Sequence, residues 1–195
     1  MLVLGTQLLN TPVMSLQTGA ELARTKAPVI DPRTLSVMAY ELDGALLDQH
    51  PSLLRIADVR EVSDIGMIVD SSDEFVGLDD IIKLKEVYEL HFPLIGLSVV
   101  DDKKHKLGKV EDYSLEMGGF VIQQISVRRP IFKSLGDSEL LIHRSQIIEI
   151  NDTTITVKAA SNEAKDPIPH AVKAYVNPFR QPGEAQPESI RIDKD

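Results

Sequence analysis

The chain has no cysteine and no tryptophan, and aromatic residues make up only 5% of its 195 positions. Without a thiol it can form no disulfide, no thiolate nucleophile and no cysteine-bound zinc, whatever its redox surroundings. Stability must come from packed aliphatic side chains, and 43% hydrophobic content is enough to build such a core. No stretch approaches the roughly 18 apolar residues that span a bilayer, and the opening MLVLGTQLLN lacks the basic start of a secretory leader. These features predict a cytoplasmic protein with no membrane insertion.

Motifs of common chemistry are missing too. There is no G-x-G-x-x-G, P-loop, G-x-S-x-G or H-E-x-x-H, so phosphate cradling, activated serine and zinc-bound water have no local support. His50, His91, His105, His143 and His170 are scattered without ligand spacing. The acidic run Asp70, Asp73, Glu74, Asp79 and Asp80 lacks the alternation and central glycine of a calcium loop. The expectation is a protein that is not an enzyme, with no catalytic residue, no metal and no cofactor.

Basic charge is scarce in one region. Residues 1–80 carry 5 basic and 13 acidic side chains, residues 81–160 carry 11 of each, and the rest carry 5 and 6, for a net charge of −9. The acidic first segment is a poor phosphate-binding surface, and no direct DNA binding is expected. Basic residues gather instead in KKHKLGK (103–109) and at Arg128, Arg129, Lys133 and Arg144, either as a local patch or as solvated charges on turns.

What is present is an internal repeat. Leu22 aligns with Leu107, and 85 positions likewise separate Leu35 from Phe120, Val37 from Ile122, Tyr40 from Ile125 and Leu42 from Val127. Both copies alternate with period two and then change phase, which predicts a strand bent by a bulge. Gly118-Gly119 is expected to supply positive φ to a tight hairpin, and Asp31-Pro32-Arg33-Thr34 to form a type I turn. Farther on, VREVSDIGMIV (59–69) matches IIEINDTTITV (147–157) at a spacing of 88, giving each copy a second hairpin. Between the copies, Ile81, Leu84 and Tyr88 mark a short helix that Asp79 could cap and Pro93 stops. After residue 160 apolar periodicity ends, and five of eleven prolines fall in the last 35 residues, the composition of a mostly disordered tail.

The double pattern resembles the PRC-barrel domain, the small β-barrel found in the H subunit of the photosynthetic reaction centre and in a ribosome-maturation factor. The residues that carry the resemblance are Val13 and Met14 with Val99 and Val100, the L-G-K-V step at Leu107 to Val110, the bent hairpins, and Ile147 to Asp152. It covers roughly residues 8–70 and 94–158; the first copy departs from it with Ala23 at the glycine position and with Pro28. The implied fold is all-β: two small PRC-type barrels in tandem, joined by a short helix. The corresponding boundaries are 1–75 for the acidic first barrel, 76–93 for the linker, 94–160 for the second barrel and 161–195 for the tail.

The resemblance implies a protein-binding adaptor or assembly module. The expected partner-binding residues are Arg128, Arg129, Ile131, Phe132, Lys133 and Arg144, which mix charge with apolar area. The alternative is a ribosome- or RNA-associated factor, with a ribosomal particle as partner, that uses the basic side of the second barrel.

Overall fold

The computed structural model describes residues 1–45, 47–129 and 139–159. These residues are mostly β. The first half contains β2 (Pro12–Ser15), β3 (Glu21–Asp31), β4 (Ser36–Asp43), β5 (Leu53–Arg55), β6 (Glu61–Ser63) and β7 (Gly66–Val69). The second contains β9 (Ser98–Asp101), β10 (Lys106–Glu116), β11 (Val121–Arg128), β12 (Glu139–His143), β13 (Ile147–Ile150) and β14 (Thr154–Val157). Three elements lie outside this scheme: β1 (Leu2–Leu4), β8 (Phe75–Val76) and the helix α1 (Ile82–Glu89).

Pairing repeats strand for strand. In the first half β2 pairs with β3, β3 with β4, β4 with β5 and β6 with β7, all antiparallel, while β2 and β7 run parallel. In the second half β9, β10, β11, β12, β13 and β14 repeat these five pairings in the same order and sense. Ser36 of β4 pairs with Val121 of β11, which joins the halves into one mixed sheet. The sheet is open. Among the described residues no pairing joins β5 to β6 or β12 to β13, so the closed barrels expected from the sequence do not form. β5 and β6 are three residues each, and the 3-10 turn Ile56–Asp58 swings the chain between them. The outer edge of β5 pairs with β8 instead.

The bulges expected from the phase change are present. Val29 and Ile30 face Ala39 and Val37, which leaves Met38 as an extra residue on β4. Ser114 and Leu115 face Gln124 and Ile122, which leaves Gln123 extra on β11, 85 residues later. Each bulge lets the strand keep its aliphatic residues inward while it bends. Ala39 and Tyr40, adjacent in sequence, are both fully buried, Tyr40 in the main core and Ala39 beneath α1.

The hairpin turns correct one expectation. Positive φ falls at Phe120 (50°) and at Leu35 (51°), not at Gly118 or Gly119. The Glu116 carboxylate accepts from the amides of Gly118 (2.7 Å) and Gly119 (3.0 Å), so the left-handed step is deferred to the next residue. In the first turn Asp31 plays the same part, accepting from the Arg33 amide at 3.0 Å.

One apolar core runs through both halves, with Val13, Tyr40, Met67, Val99, Leu115, Ile122, Ile125 and Ile155 essentially removed from water. Burial of each large aliphatic side chain contributes about 1.5–3 kcal/mol. A second, smaller cluster forms where Leu84 and Val87 of α1 cover Val29, Ala39 and Leu53 on the outer face of the first half. Asp79 does not cap this helix; its carboxylate accepts from Lys85 Nζ at 2.8 Å. The equivalent outer positions of the second half are Ser114, Gln124 and Leu141, and the last is 59% exposed. No described helix covers them.

Candidate functional site

A pseudo-twofold axis at the β4–β11 seam organises the surface. The Val37 amide donates to the Phe120 carbonyl at 2.9 Å, and the Ile122 amide donates to the Leu35 carbonyl at 2.8 Å. Two grooves flank this seam. One, of about 410 Å³, is lined by Pro32, Arg33, Leu35, Arg144 and Ile147–Ile150. The other, of about 370 Å³, is lined by Met1, Ile56, Val59–Val62, Met117, Gly118 and Phe120. Their linings correspond through the 85- and 88-residue spacings, but their chemistry differs. The first presents Arg33 and Arg144 beside Ile148; the second has Arg60 together with Met1 and Met117.

A third concavity lies apart from the seam. It is a cleft of about 390 Å³ along Ala27–Ile30 of β3, roofed by Val87 and Tyr88 of α1 and by His91–Ile95, with Tyr113 of β10 in its lining. Tyr113 is 1% exposed, and burial pushes its hydroxyl well above the usual phenol range. Its ring lies so close to Gly5 that a Cβ there would collide with it. At the rim, Glu41 accepts from Lys26 Nζ at 2.6 Å and from the Tyr88 hydroxyl at 3.3 Å. Burial, and then the Glu41 charge, raises the Tyr88 hydroxyl; the hydrogen bond to Glu41 and its charge raise the Lys26 ammonium. His91, at φ 47°, donates from Nδ1 to the Glu89 carbonyl at 2.7 Å and sets its ring 5.8 Å from that of Tyr88. The cleft is therefore apolar within and polar at one lip, the usual make-up of a binding pocket.

Of the residues expected at a partner surface, Arg128, Arg129 and Arg144 are among those described. Arg128 is exposed and forms an ion pair with Glu111. Arg129 is half-buried at the end of β11. Arg144 Nη2 donates to the Thr34 carbonyl at 2.9 Å, across the seam. The antiparallel register places Gln124 opposite His143 and Arg128 opposite Glu139. At about 3.4 Å per residue, Arg128 and Arg144 stand roughly 14 Å or more apart, at opposite ends of the β11–β12 pair. Ile131, Phe132 and Lys133 lie outside the described residues. Lys103 and Lys104 of KKHKLGK fall on an exposed turn where Asp101 accepts from the amides of Lys103 (2.9 Å) and His105 (2.8 Å), and Lys106 and Lys109 are exposed on β10.

Among the described residues no group of three or more His, Asp or Glu side chains is placed to hold a metal ion, and no helix is long and apolar enough to cross a membrane. Sequence reasoning missed the cleft. Its walls come from segments 27–30, 87–95 and position 113, and Tyr88 reads in sequence as part of a core stripe. The two faint signals were Pro28, which interrupts an otherwise regular strand, and the aromatic pair Tyr88 and His91.

No family model matches this chain, and no curated protein matches it.

Proposed function

We propose that the protein is a non-catalytic, cytoplasmic binding module built on two PRC-type repeats in tandem, which joins protein partners. One observation carries this reading: the same strand framework is used twice, while the surfaces it displays have diverged. Val29, Ala39 and Leu53 sit beneath a helix, whereas Ser114, Gln124 and Leu141 occupy the same places in the second half. The seam grooves differ in the same way, one with Arg33 and Arg144 and the other with Arg60, Met1 and Met117. A rigid scaffold with varied surface positions suits recognition, because loops and outer faces change without disturbing the core.

The test is affinity capture of the tagged full chain from a lysate of its own source, with cross-linking. Reproducible protein partners support the reading, and an empty capture overturns it. Ribosomal particles that are released as salt rises would point instead to the RNA-associated alternative. That alternative draws less support from the side chains, since Arg128 is paired with Glu111 and Arg144 is engaged with a backbone carbonyl. Replacing Arg128 and Arg129 by alanine is expected to weaken capture and leave the thermal melt unchanged.

A further inference from the structure

The two halves differ at one sheet edge. In the first half β8 lies along the outer edge of β5, with Val76 opposite Leu53 and Phe75 opposite Leu54. The counterpart of β5 is β12: Leu53 pairs with Glu41, and Ser126, 85 residues after Glu41, pairs with Leu141. Among the described residues β12 pairs with β11 alone. Which of its peptide groups face outward follows from the ladder. Val110 donates to the Leu97 carbonyl at 2.9 Å and accepts from the Gly96 amide at 2.8 Å, so its peptide groups turn away from β11. Val127, opposite Val110, therefore directs its N–H and C=O to Leu140. By alternation Ile142 also bonds inward, and the peptide groups of Glu139, Leu141 and His143 face out. In keeping with this, the His143 amide donates to Gln146 Oε1 at 2.9 Å and not to β11. Glu139, Leu141 and His143 are all exposed, and the strand contains no proline.

We propose that β12 pairs with β12 of a second copy of this chain, antiparallel and centred on Leu141, so that two sheets join edge to edge about a twofold axis. Outward N–H and C=O groups on an exposed edge need partners, and a strand added there supplies them. The run Glu139-Leu140-Leu141-Ile142-His143 complements itself in this register. Leu141 meets Leu141 and the two exchange N–H···O=C bonds, while the Glu139 amide of each copy meets the His143 carbonyl of the other. The His143 amide stays with Gln146. Side chains match as well, because facing residues share one face of the sheet. Leu141, 59% exposed in the single chain, gains an aliphatic neighbour. Glu139 comes beside His143, whose Nδ1 accepts from the Ser145 amide at 3.2 Å, which leaves the ring proton on Nε2. Oε1 of Glu139 accepts from Ser126 Oγ at 2.5 Å, so Oε2 is the acceptor for that proton. One short ladder makes a small interface, and the dimer belongs to the weak, reversible class. β5 cannot pair in this way, since β8 closes its edge, and the contact is isologous, so association stops at two. The pairing goes beyond the adaptor reading and does not depend on it.

Sedimentation equilibrium of the full-length chain is the test. The weight-average mass should rise from that of one chain towards that of two between about 5 and about 500 µM, with a dissociation constant of about 100 µM or tighter. Leu141→Pro removes the central outward N–H without taking a bond from the β11–β12 ladder, and should stay monomeric throughout. If that variant melts early, His143→Glu serves the same purpose. It sets a carboxylate against Glu139 of the second copy and should raise the dissociation constant about tenfold or more. Adding Glu139→His to that variant restores unlike partners and should bring association back. A single-chain mass at every concentration overturns the proposal. So does association of Leu141→Pro or His143→Glu equal to that of the parent, which would place the contact elsewhere, and so does failure of the second substitution to restore it. A monomer that still captures partners would remove the pairing alone. A dimer with an empty capture would keep the pairing and remove the adaptor reading.

Discussion

Leu35 and Phe120 accept one hydrogen bond each from the other's half: the Ile122 amide reaches Leu35 at 2.8 Å and the Val37 amide reaches Phe120 at 2.9 Å. The seam is self-complementary in the manner of a twofold dimer interface, yet it lies within one chain. Both residues are buried and both hold positive φ, 51° and 50°. Few side chains adopt this conformation readily. Leu35→Ala should cost about 2–5 kcal/mol and Phe120→Ala about 3–5 kcal/mol by urea denaturation. Leu35→Gly, which relieves the backbone, should be no less stable than Leu35→Ala; a clearly weaker glycine variant would contradict the assigned backbone.

The halves make room at the same crossing in opposite ways. A Cβ on Gly108 would collide with the Arg128 carbonyl. In the first half the small residue has moved across: Ala23 sits at that place, and Gly44 gives it space, since a Cβ there would meet the Ala23 Cα at 3.2 Å. Gly108→Ala should therefore be strongly destabilising, because backbone must shift, whereas Ala23→Gly should cost only about 1 kcal/mol. Equal losses in thermal melts would refute the asymmetry.

Acid should loosen both hairpin turns. Burial by itself would raise the Asp31 carboxyl, but hydrogen bonds from the Arg33 side chain and amide and the guanidinium charge hold it below its usual range. Hydrogen bonds from the amides of Gly118 and Gly119 lower the Glu116 carboxyl. A carboxyl depressed in the folded state adds stability above its unfolded pKa of about 4, and that stability is lost as pH falls through the folded value. The melting temperature should fall below about pH 4. Asp31→Asn with Glu116→Gln should melt lower at pH 7 and show a shallower acid slope; parallel slopes would exclude these two groups as the source.

The helix should matter to the first half, and among the described residues it has no counterpart in the second. Leu84 and Val87 are each 2% exposed, whereas Leu141, the outward residue of β12, is 59% exposed. Leu84→Ala is expected to cost about 2–5 kcal/mol, and Leu141→Ser to stay within about 0.5 kcal/mol of the parent. A large loss from Leu141→Ser would mean that its face is covered.

Much of this framework was legible in the spacing of aliphatic residues. Leu35, Val37, Tyr40 and Leu42 recur as Phe120, Ile122, Ile125 and Val127, and the step between Val37 and Tyr40 announced the bulge at Met38. The site of positive φ was not legible, because Gly118 and Gly119 satisfy the usual rule for hairpins while the Glu116 carboxylate holds their amides. Closure was misjudged because it depends on β5 and β6, whose three residues each carry little periodic signal. Arg128 and Arg144 looked like neighbours because they flank one loop in sequence. An antiparallel pair carries them apart, and each finds a local partner, Glu111 or the Thr34 carbonyl. The cleft is made by segments distant in sequence, so local patterns left only the faint signals of Pro28 and the pair Tyr88 and His91.

The placement of β1 bears on how the molecule could be divided. Leu2–Leu4 pairs with β10, and Thr6 donates its amide to the Asp112 carboxylate at 3.2 Å, so the chain's first strand belongs to its second half. A cut between the halves would leave two fragments that still share a strand pairing, a seam and a core. Such fragments should find each other from separate chains, which makes the linker around residues 91–96 the natural point for a split reporter whose reassembly signals that both pieces are present.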